Sequence, residues 1–161
     1  MINYLRNSTY FRCFFYGILL PLAFAPFHIP GFAIISLALF YYELNKISPI
    51  TSRLYSFNQG LAYGLGFFGL GTSWIYVSIH NYGHLISILS AFITFVFILY
   101  LSLFVAGVGV FYKYLRLRPY SLLSIFAFAA LWTFSEYFRA TFLTGFPWLL
   151  VGVGQIDAPT R

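Results

Sequence analysis

Long apolar runs, separated by short polar or basic stretches, make up most of this chain. A helix that crosses the hydrocarbon core of a membrane needs about 20 mostly apolar residues. Runs of this kind cover residues 14–30, 31–44, 57–77, 85–111 and 120–138. The pattern predicts an all-α integral membrane protein, a bundle of about five transmembrane helices, with residues 139–161 as an outer loop.

The first two runs are predicted to form a tilted hairpin that turns at residues 28–31. Pro21 and Pro26 lie within the first run, where proline kinks or ends a helix. The second run is short for a full crossing. Residues 23–25 resemble a signal-peptide cleavage site, but Pro26 would follow the cut, so we expect the segment to be retained as a first span.

Positive charges near the ends of the runs predict the orientation, because cytoplasmic loops carry an excess of Lys and Arg. An amino terminus in the cytoplasm leaves Arg139 and Arg161 as the positive residues of the outer segments. The chain therefore enters the membrane from the cytoplasm, and its carboxyl end is periplasmic. The inner segments then hold Arg6, Arg12, Lys46, Arg53, Lys113, Arg116 and Arg118.

The composition excludes a soluble domain. Hydrophobic residues make up 61% of the chain and charged residues 7%, whereas a soluble domain carries about 25% charged residues. The net charge of +6 is spread between the apolar runs, so it indicates topology signals and headgroup contacts, and no nucleic-acid partner. Cys13 is the single cysteine, which rules out a disulfide within the chain.

Gly60 and Gly64 form a small-xxx-small pair, which allows two helix backbones to approach closely. We expect this pair to serve helix packing. His80 and His84 are four residues apart, but Asn81, Tyr82 and Gly83 between them predict a turn. No cysteine or acidic residue lies near them in sequence, so no metal site is predicted.

Glu136 and Arg139 lie three residues apart near the end of the last run, a spacing that places them on one helix face. Two interpretations stay open: an ion pair that anchors the helix end, or a polar patch that touches a headgroup or steadies the outer loop. Trp148 follows Gly145, Phe146 and Pro147. An aromatic residue there is typical of an anchor at the membrane interface.

No self-sufficient catalytic set is visible. The chain has three acidic residues and one cysteine, with no Ser-His-Asp pattern and no phosphate-binding loop. We therefore predict no catalytic residues and no cofactor. A small transporter or channel-like protein would need polar residues in mid-span, which these runs almost lack. A non-functional gene remnant is the other alternative.

An ordered series of short motifs resembles the apolipoprotein N-acyltransferase family over nearly the whole chain. Each motif alone is weak, but all occur in the family's order and at its spacing. The most specific group comes last: Ala130-Leu131-Trp132, Glu136, Arg139, Leu143-Thr144-Gly145-Phe146-Pro147-Trp148 and Gln155-Ile156-Asp157. The earlier ones are Leu22-Ala23-Phe24-Ala25-Pro26-Phe27, Gly64-Leu65-Gly66-Phe67-Phe68-Gly69, Trp74-Ile75-Tyr76-Val77-Ser78-Ile79 and Tyr100-Leu101-Ser102-Leu103.

The resemblance implies an enzyme of the bacterial inner membrane that matures lipoproteins. Its membrane bundle carries a nitrilase-like domain with a Glu-Lys-Cys set. The Cys takes an acyl chain from a phospholipid and passes it to the amino group of the first cysteine of an apolipoprotein. That domain is not in this sequence, so we expect a truncated or split reading frame and no activity of the chain alone. The residues expected to contact lipid or substrate are Trp148, Phe146, Glu136 and Arg139.

Overall fold

In the computed structural model, residues 2–46 and 52–155 are described, with side chains from residue 8 onward. The described residues form helices and turns and contain no strand. Ile156, Asp157 and Arg161 lie outside the described residues, as does the side chain of Arg6. The helices are α1 (Ile2–Leu19), α2 (Gly31–Lys46), α3 (Arg53–Gly71), α4 (Trp74–Val77), α5 (Ser87–Tyr114) and α6 (Leu122–Thr141).

The helix bounds differ from the apolar runs where the backbone is interrupted. The run 14–30 does not form a continuous helix: α1 ends at Leu19, and a 3-10 turn at Leu20–Ala23 follows. Pro21 accounts for this end, since proline cannot donate the hydrogen bond of a helix interior. The run 57–77 is likewise divided, because α3 ends at Gly71 and α4 begins at Trp74.

Among the described helices, α5 is the one that is long and apolar enough to cross a membrane by length and composition. Its 28 residues have a mean hydropathy of 2.6, and 28% of its most apolar window is buried inside the structure. The core helix of a soluble protein is mostly buried, whereas less than a third of this window of α5 is buried. Two of the other helices fall short for visible reasons, as α2 has 16 residues and the last turns of α6 contain Glu136 and Arg139.

The centre of the bundle is α3, whose glycines lie against bare backbone on two sides. A Cβ atom on Gly60 would lie 2.5 Å from the carbonyl oxygen of Val105 in α5, and one on Gly64 would lie 2.7 Å from Ser102 Cα. On the other side, a Cβ atom on Gly66 would meet the carbonyl oxygen of Phe14 in α1. The helix-packing role predicted for Gly60 and Gly64 is therefore confirmed.

Aromatic side chains join α2 and α6 to this centre. The rings of Phe40 in α2 and Tyr63 in α3 stack with centroids 4.3 Å apart, and Tyr63 meets Trp132 of α6 edge-on at 5.9 Å. Tyr63 is fully buried, and its hydroxyl group shares a 2.6 Å hydrogen bond with Ser36. Buried aromatic pairs of this kind contribute about 0.5–1.5 kcal/mol beyond the burial of their area.

Polar contacts fasten one end of the bundle, where α2 ends and α3 begins. The Arg12 guanidinium of α1 donates to both carboxylate oxygens of Glu43 in α2, at 2.7 and 3.1 Å. Tyr112 of α5 donates to Asn45 Oδ1 at 2.8 Å. Glu43 is 1% exposed, and the bidentate contact with Arg12 offsets the cost of burying the Glu43 charge.

The α3–α5 contact predicts that alanine lowers the stability of the protein at Gly64 but not at Gly69 of the same helix. Gly64→Ala should lower the stability of the protein by roughly 1–3 kcal/mol, because the new methyl group would overlap Ser102. Gly69→Ala is the matched control, since a Cβ atom there meets nothing within 4 Å and alanine favours helix. Thermal unfolding in detergent, followed by tryptophan fluorescence, measures both. Equal effects of the two substitutions would contradict close packing at Gly64.

Candidate functional site

The segment that follows α6, residues 142–155, folds back over the end of the bundle and is called the return loop here. Three successive residues have a left-handed backbone: Leu143 at φ 49°, Thr144 at φ 73° and Gly145 at φ 77°. Such values cost non-glycine residues about 1–3 kcal/mol each. At position 145 glycine is required for a second reason, because a Cβ atom would meet the carbonyl oxygen of Ala140.

Arg139 holds the first half of the return loop. Its Nη1 donates to the carbonyl oxygens of Phe146, at 2.8 Å, and Trp148, at 2.7 Å. The Phe146 N–H group donates to the Arg139 carbonyl oxygen at 2.9 Å. The Arg139 side chain is 3% exposed, and its guanidinium lies 5.2 Å from the ring centroid of Phe68. Charge-assisted hydrogen bonds of this kind explain how the strained backbone is maintained.

Glu136 holds the second half of the return loop, since its Oε1 accepts a 2.9 Å hydrogen bond from the Val151 N–H group. The sequence left open an ion pair between Glu136 and Arg139. No direct ion pair joins the two side chains among the described residues, although each lies close enough to act on the charge of the other. Each of the two charged residues binds backbone of the return loop instead, which agrees with the alternative interpretation of loop support.

The two aromatic residues of the return loop lie in different environments. Phe146 is half-buried, and its ring meets Phe97 of α5 edge-on with centroids 5.1 Å apart. Trp148 leaves 59% of its surface exposed, although its carbonyl oxygen is bound by Arg139. The return loop thus has one aromatic side chain packed inward and a larger one presented outward. An amphipathic indole in that position suits contact with the headgroup region of a lipid.

The end of the return loop reaches the beginning of α2. Gln155 Nε2 donates to the Pro30 carbonyl oxygen at 3.2 Å. Gly154 lies beside the Phe24 ring, which a Cβ atom would approach to 3.2 Å. The sequence motif containing Gln155 did not reveal this contact, since its partner is a backbone carbonyl group 125 residues away. The loop therefore bridges the ends of α6 and α2.

His80 makes its 2.8 Å hydrogen bond within its own segment and not to the return loop. His80 lies in a π-helical turn at Ser78–Tyr82, and its Nδ1 lies 2.8 Å from the Leu85 carbonyl oxygen. Within the described part of the chain, no three His, Cys, Asp or Glu residues are arranged to hold a metal ion. Cys13 is fully buried in α1, one residue from the Arg12–Glu43 contact, so no thiol lies in the return loop.

The helical fold, the apolar helix α5 and the low content of charged residues define the class of this protein as a helical membrane protein. The chain belongs to the apolipoprotein N-acyltransferase family: the family model described as "Apolipoprotein N-acyltransferase N-terminal domain" matches residues 16–161. The resemblance seen in the sequence motifs is thereby confirmed.

Three bacterial relatives, each named apolipoprotein N-acyltransferase, show how much of the family's length the chain represents. The protein of Pseudomonas syringae pv. tomato is 44% identical over 144 residues, which are 89% of this chain and 28% of the relative. That of Coxiella burnetii is 40% identical over 90% of this chain and 29% of the relative. That of Azotobacter vinelandii is 42% identical, at 89% and 27%. The chain thus spans a little over a quarter of their length.

The two hydrogen bonds of Arg139 predict that Arg139→Ala loosens the return loop. Hydrogen bonds to charged groups contribute about 1.5–3 kcal/mol, so amide hydrogen exchange at residues 145–151 should rise roughly tenfold or more. Mass-spectrometric hydrogen exchange in detergent measures this rise. Arg118→Ala, at an exposed arginine, is the control and should leave these amides unchanged. Unaltered exchange in Arg139→Ala would show that the guanidinium does not hold the loop.

Proposed function

We propose that this chain is the membrane portion of an apolipoprotein N-acyltransferase in the bacterial inner membrane. In this proposal α1, α2, α3, α5 and α6 are its five crossings, with the amino terminus in the cytoplasm and the return loop on the periplasmic face. At a rise of about 1.5 Å per residue, the 20 residues of α6 extend about 30 Å, which equals the thickness of a typical hydrocarbon core.

The distribution of charge supports this orientation. The Arg53 guanidinium at the start of α3 lies 5.1 Å from the ring centroid of Tyr114 at the end of α5. Lys113 Nζ donates to the Leu44 carbonyl oxygen at 3.4 Å, so the end of α2 lies there too. This basic end of the bundle fits the cytoplasmic side. At the other end, Arg139 is buried and bound by the return loop.

Single-cysteine labelling tests the orientation. In a Cys13→Ala background, Trp148→Cys and Arg116→Cys each place one thiol at an exposed position at opposite ends of the bundle. A membrane-impermeant maleimide added to intact spheroplasts should label Trp148→Cys, and Arg116→Cys should react after the membrane is permeabilised. The reverse pattern would overturn the proposed topology.

The proposed reaction moves an acyl chain from a phospholipid to the terminal amine of an apolipoprotein's first cysteine. By resemblance, a Glu-Lys-Cys set in the remaining part of the longer relatives performs the chemistry through a thioester. Cys13 does not replace that thiol, because it is fully buried in α1 beside the basic end of the bundle. This chain supplies the lipid-embedded platform beneath the catalytic domain.

One observation carries the proposal for the platform: Arg139 fixes the Trp148 backbone while 59% of the Trp148 surface stays exposed. A large aromatic group on a fixed backbone can position lipid or substrate with little loss of side-chain entropy on binding. Phe146, packed on Phe97, secures the loop from beneath. Glu136 and Arg139 act as positioning residues for Trp148, and neither is proposed to touch the reacting atoms.

A palmitoyl-transfer assay tests the proposed function. The 161-residue polypeptide alone should transfer no palmitoyl group from phospholipid to a diacylated peptide, since by resemblance the Glu-Lys-Cys set belongs to the remaining part of the longer relatives. Joined to the remaining part of the Pseudomonas syringae relative, it should become active. In that joined protein, Trp148→Ala should reduce kcat/KM at least roughly tenfold, as expected for loss of about 1.4 kcal/mol of transition-state positioning.

Two further variants separate the role of Trp148 from general damage to the loop. Trp148→Phe keeps an aromatic side chain and should retain most of the activity. Val153→Ala alters another exposed side chain of the return loop (Val153 is 53% exposed) and should leave kcat/KM unchanged. Transfer by the 161-residue polypeptide alone, or full activity of Trp148→Ala, would refute the proposal.

A further inference from the structure

Between α2 and α6 lies an apolar groove of about 580 Å³, called the α2–α6 groove here. The two helices meet at the basic end of the bundle, where Tyr41 and Ser124 share a 2.6 Å hydrogen bond. From there the groove extends to Val151 and Gly152 of the return loop. The two helices therefore leave unfilled space between them along most of their length.

The walls and the floor of the groove differ in exposure. Ile34 of α2 and Ile125 of α6 line it and are 66% and 47% exposed. Phe128 and Trp132 also line it but are 7% and 6% exposed. The groove is thus open toward its surroundings and has a packed aromatic floor, which is the shape that accepts side chains of another helix.

We propose that the α2–α6 groove is the docking site of a membrane helix formed by the segment that follows residue 161 in the longer members of the family. This inference goes beyond the proposed function and depends on family membership alone. The occupant is an apolar helix of the same polypeptide, and it carries a polar side chain at the depth of Trp132.

The position where the described chain ends supports this occupant. Gln155 is bound to the Pro30 carbonyl oxygen at the start of α2, and Val151 and Gly152, just before it, line the mouth of the groove. The chain accounts for 28% of the length of the Pseudomonas syringae relative, so a long segment continues from this point in such proteins. Consecutive helices are usually neighbours, joined by about 2–8 residues in bundles.

Trp132 distinguishes a helix from a lipid chain in the groove. Its Nε1 is buried and completes no hydrogen bond of good geometry among the described residues, although the Glu136 carboxylate, one turn further along α6, lies close enough to interact with it. A buried donor without an acceptor is costly, and a hydrocarbon chain offers no acceptor. A helix with a hydroxyl, amide or carboxylate side chain at that depth would supply one. Glu136 at the same end of the groove also fits a site that faces protein, as ionisable groups at membrane depth usually do.

Photocrosslinking at two adjacent alanines tests the proposal. Ala129 lines the α2–α6 groove, whereas Ala130, equally classed as exposed and at nearly the same depth, does not. The 161-residue chain is joined through a protease site to the remaining part of the Pseudomonas syringae relative. A photocrosslinking amino acid replaces either alanine. After illumination and cleavage, the two parts should stay covalently joined with the probe at 129 and separate with the probe at 130.

Other occupants give different products, and each would overturn the proposal: a crosslink from 129 to labelled phospholipid alone, a crosslink to a second copy of the chain, or equal results at 129 and 130. Thermal stability gives a second measurement that does not depend on activity. Ala129→Trp should lower the Tm of the joined protein by several degrees through overpacking, while Ala130→Trp should not. Equal Tm values for the two variants would also refute a helix in the groove.

Discussion

The close approach of α3 to its neighbours is the contact on which the rest of the structure depends. Lipid tails are as apolar as the side chains of this bundle, so burial alone gives little drive for helices to associate. What remains is close packing of backbone on backbone, and Gly60 and Gly64 allow it against α5 while Gly66 allows it against α1. With these three helices fixed, Tyr63 and Phe67 of α3 provide the surface on which Trp132 of α6 packs.

The same apolar surroundings make it costly to bury charged side chains. The two ends of the bundle offset this cost in different ways. At the basic end, Arg12 neutralises Glu43 in a bidentate ion pair. At the other end, Arg139 and Glu136 bind backbone carbonyl and N–H groups of the return loop. The first arrangement joins two helices. The second orders the stretch between the 3-10 turns at Phe142–Thr144 and Val153–Gln155, where the backbone lies outside regular secondary structure.

Much of the helical arrangement was predictable from the sequence, because apolar runs and glycine spacing are local signals. The Gly60–Gly64 pair identified a helix contact, although the sequence did not name α5 as its partner. The Glu136–Arg139 spacing identified a shared helix face, but the partners of both residues are backbone groups that carry no sequence signature. Pro21 predicted the early end of α1, whereas the break after Gly71 depends on local backbone geometry, which hydropathy does not report.

The return loop connects these properties to the proposed role. Its backbone passes through left-handed conformations at Leu143 and Thr144, which an unsupported segment would avoid. The loop can keep them because Arg139 and Glu136 bind it from a helix that is itself packed on α3 through Trp132. The exposed indole of Trp148 is therefore positioned by a chain of contacts that begins at bare glycine backbone inside the bundle. A change such as Gly64→Ala, remote from the loop, should consequently disturb Trp148 as well as stability.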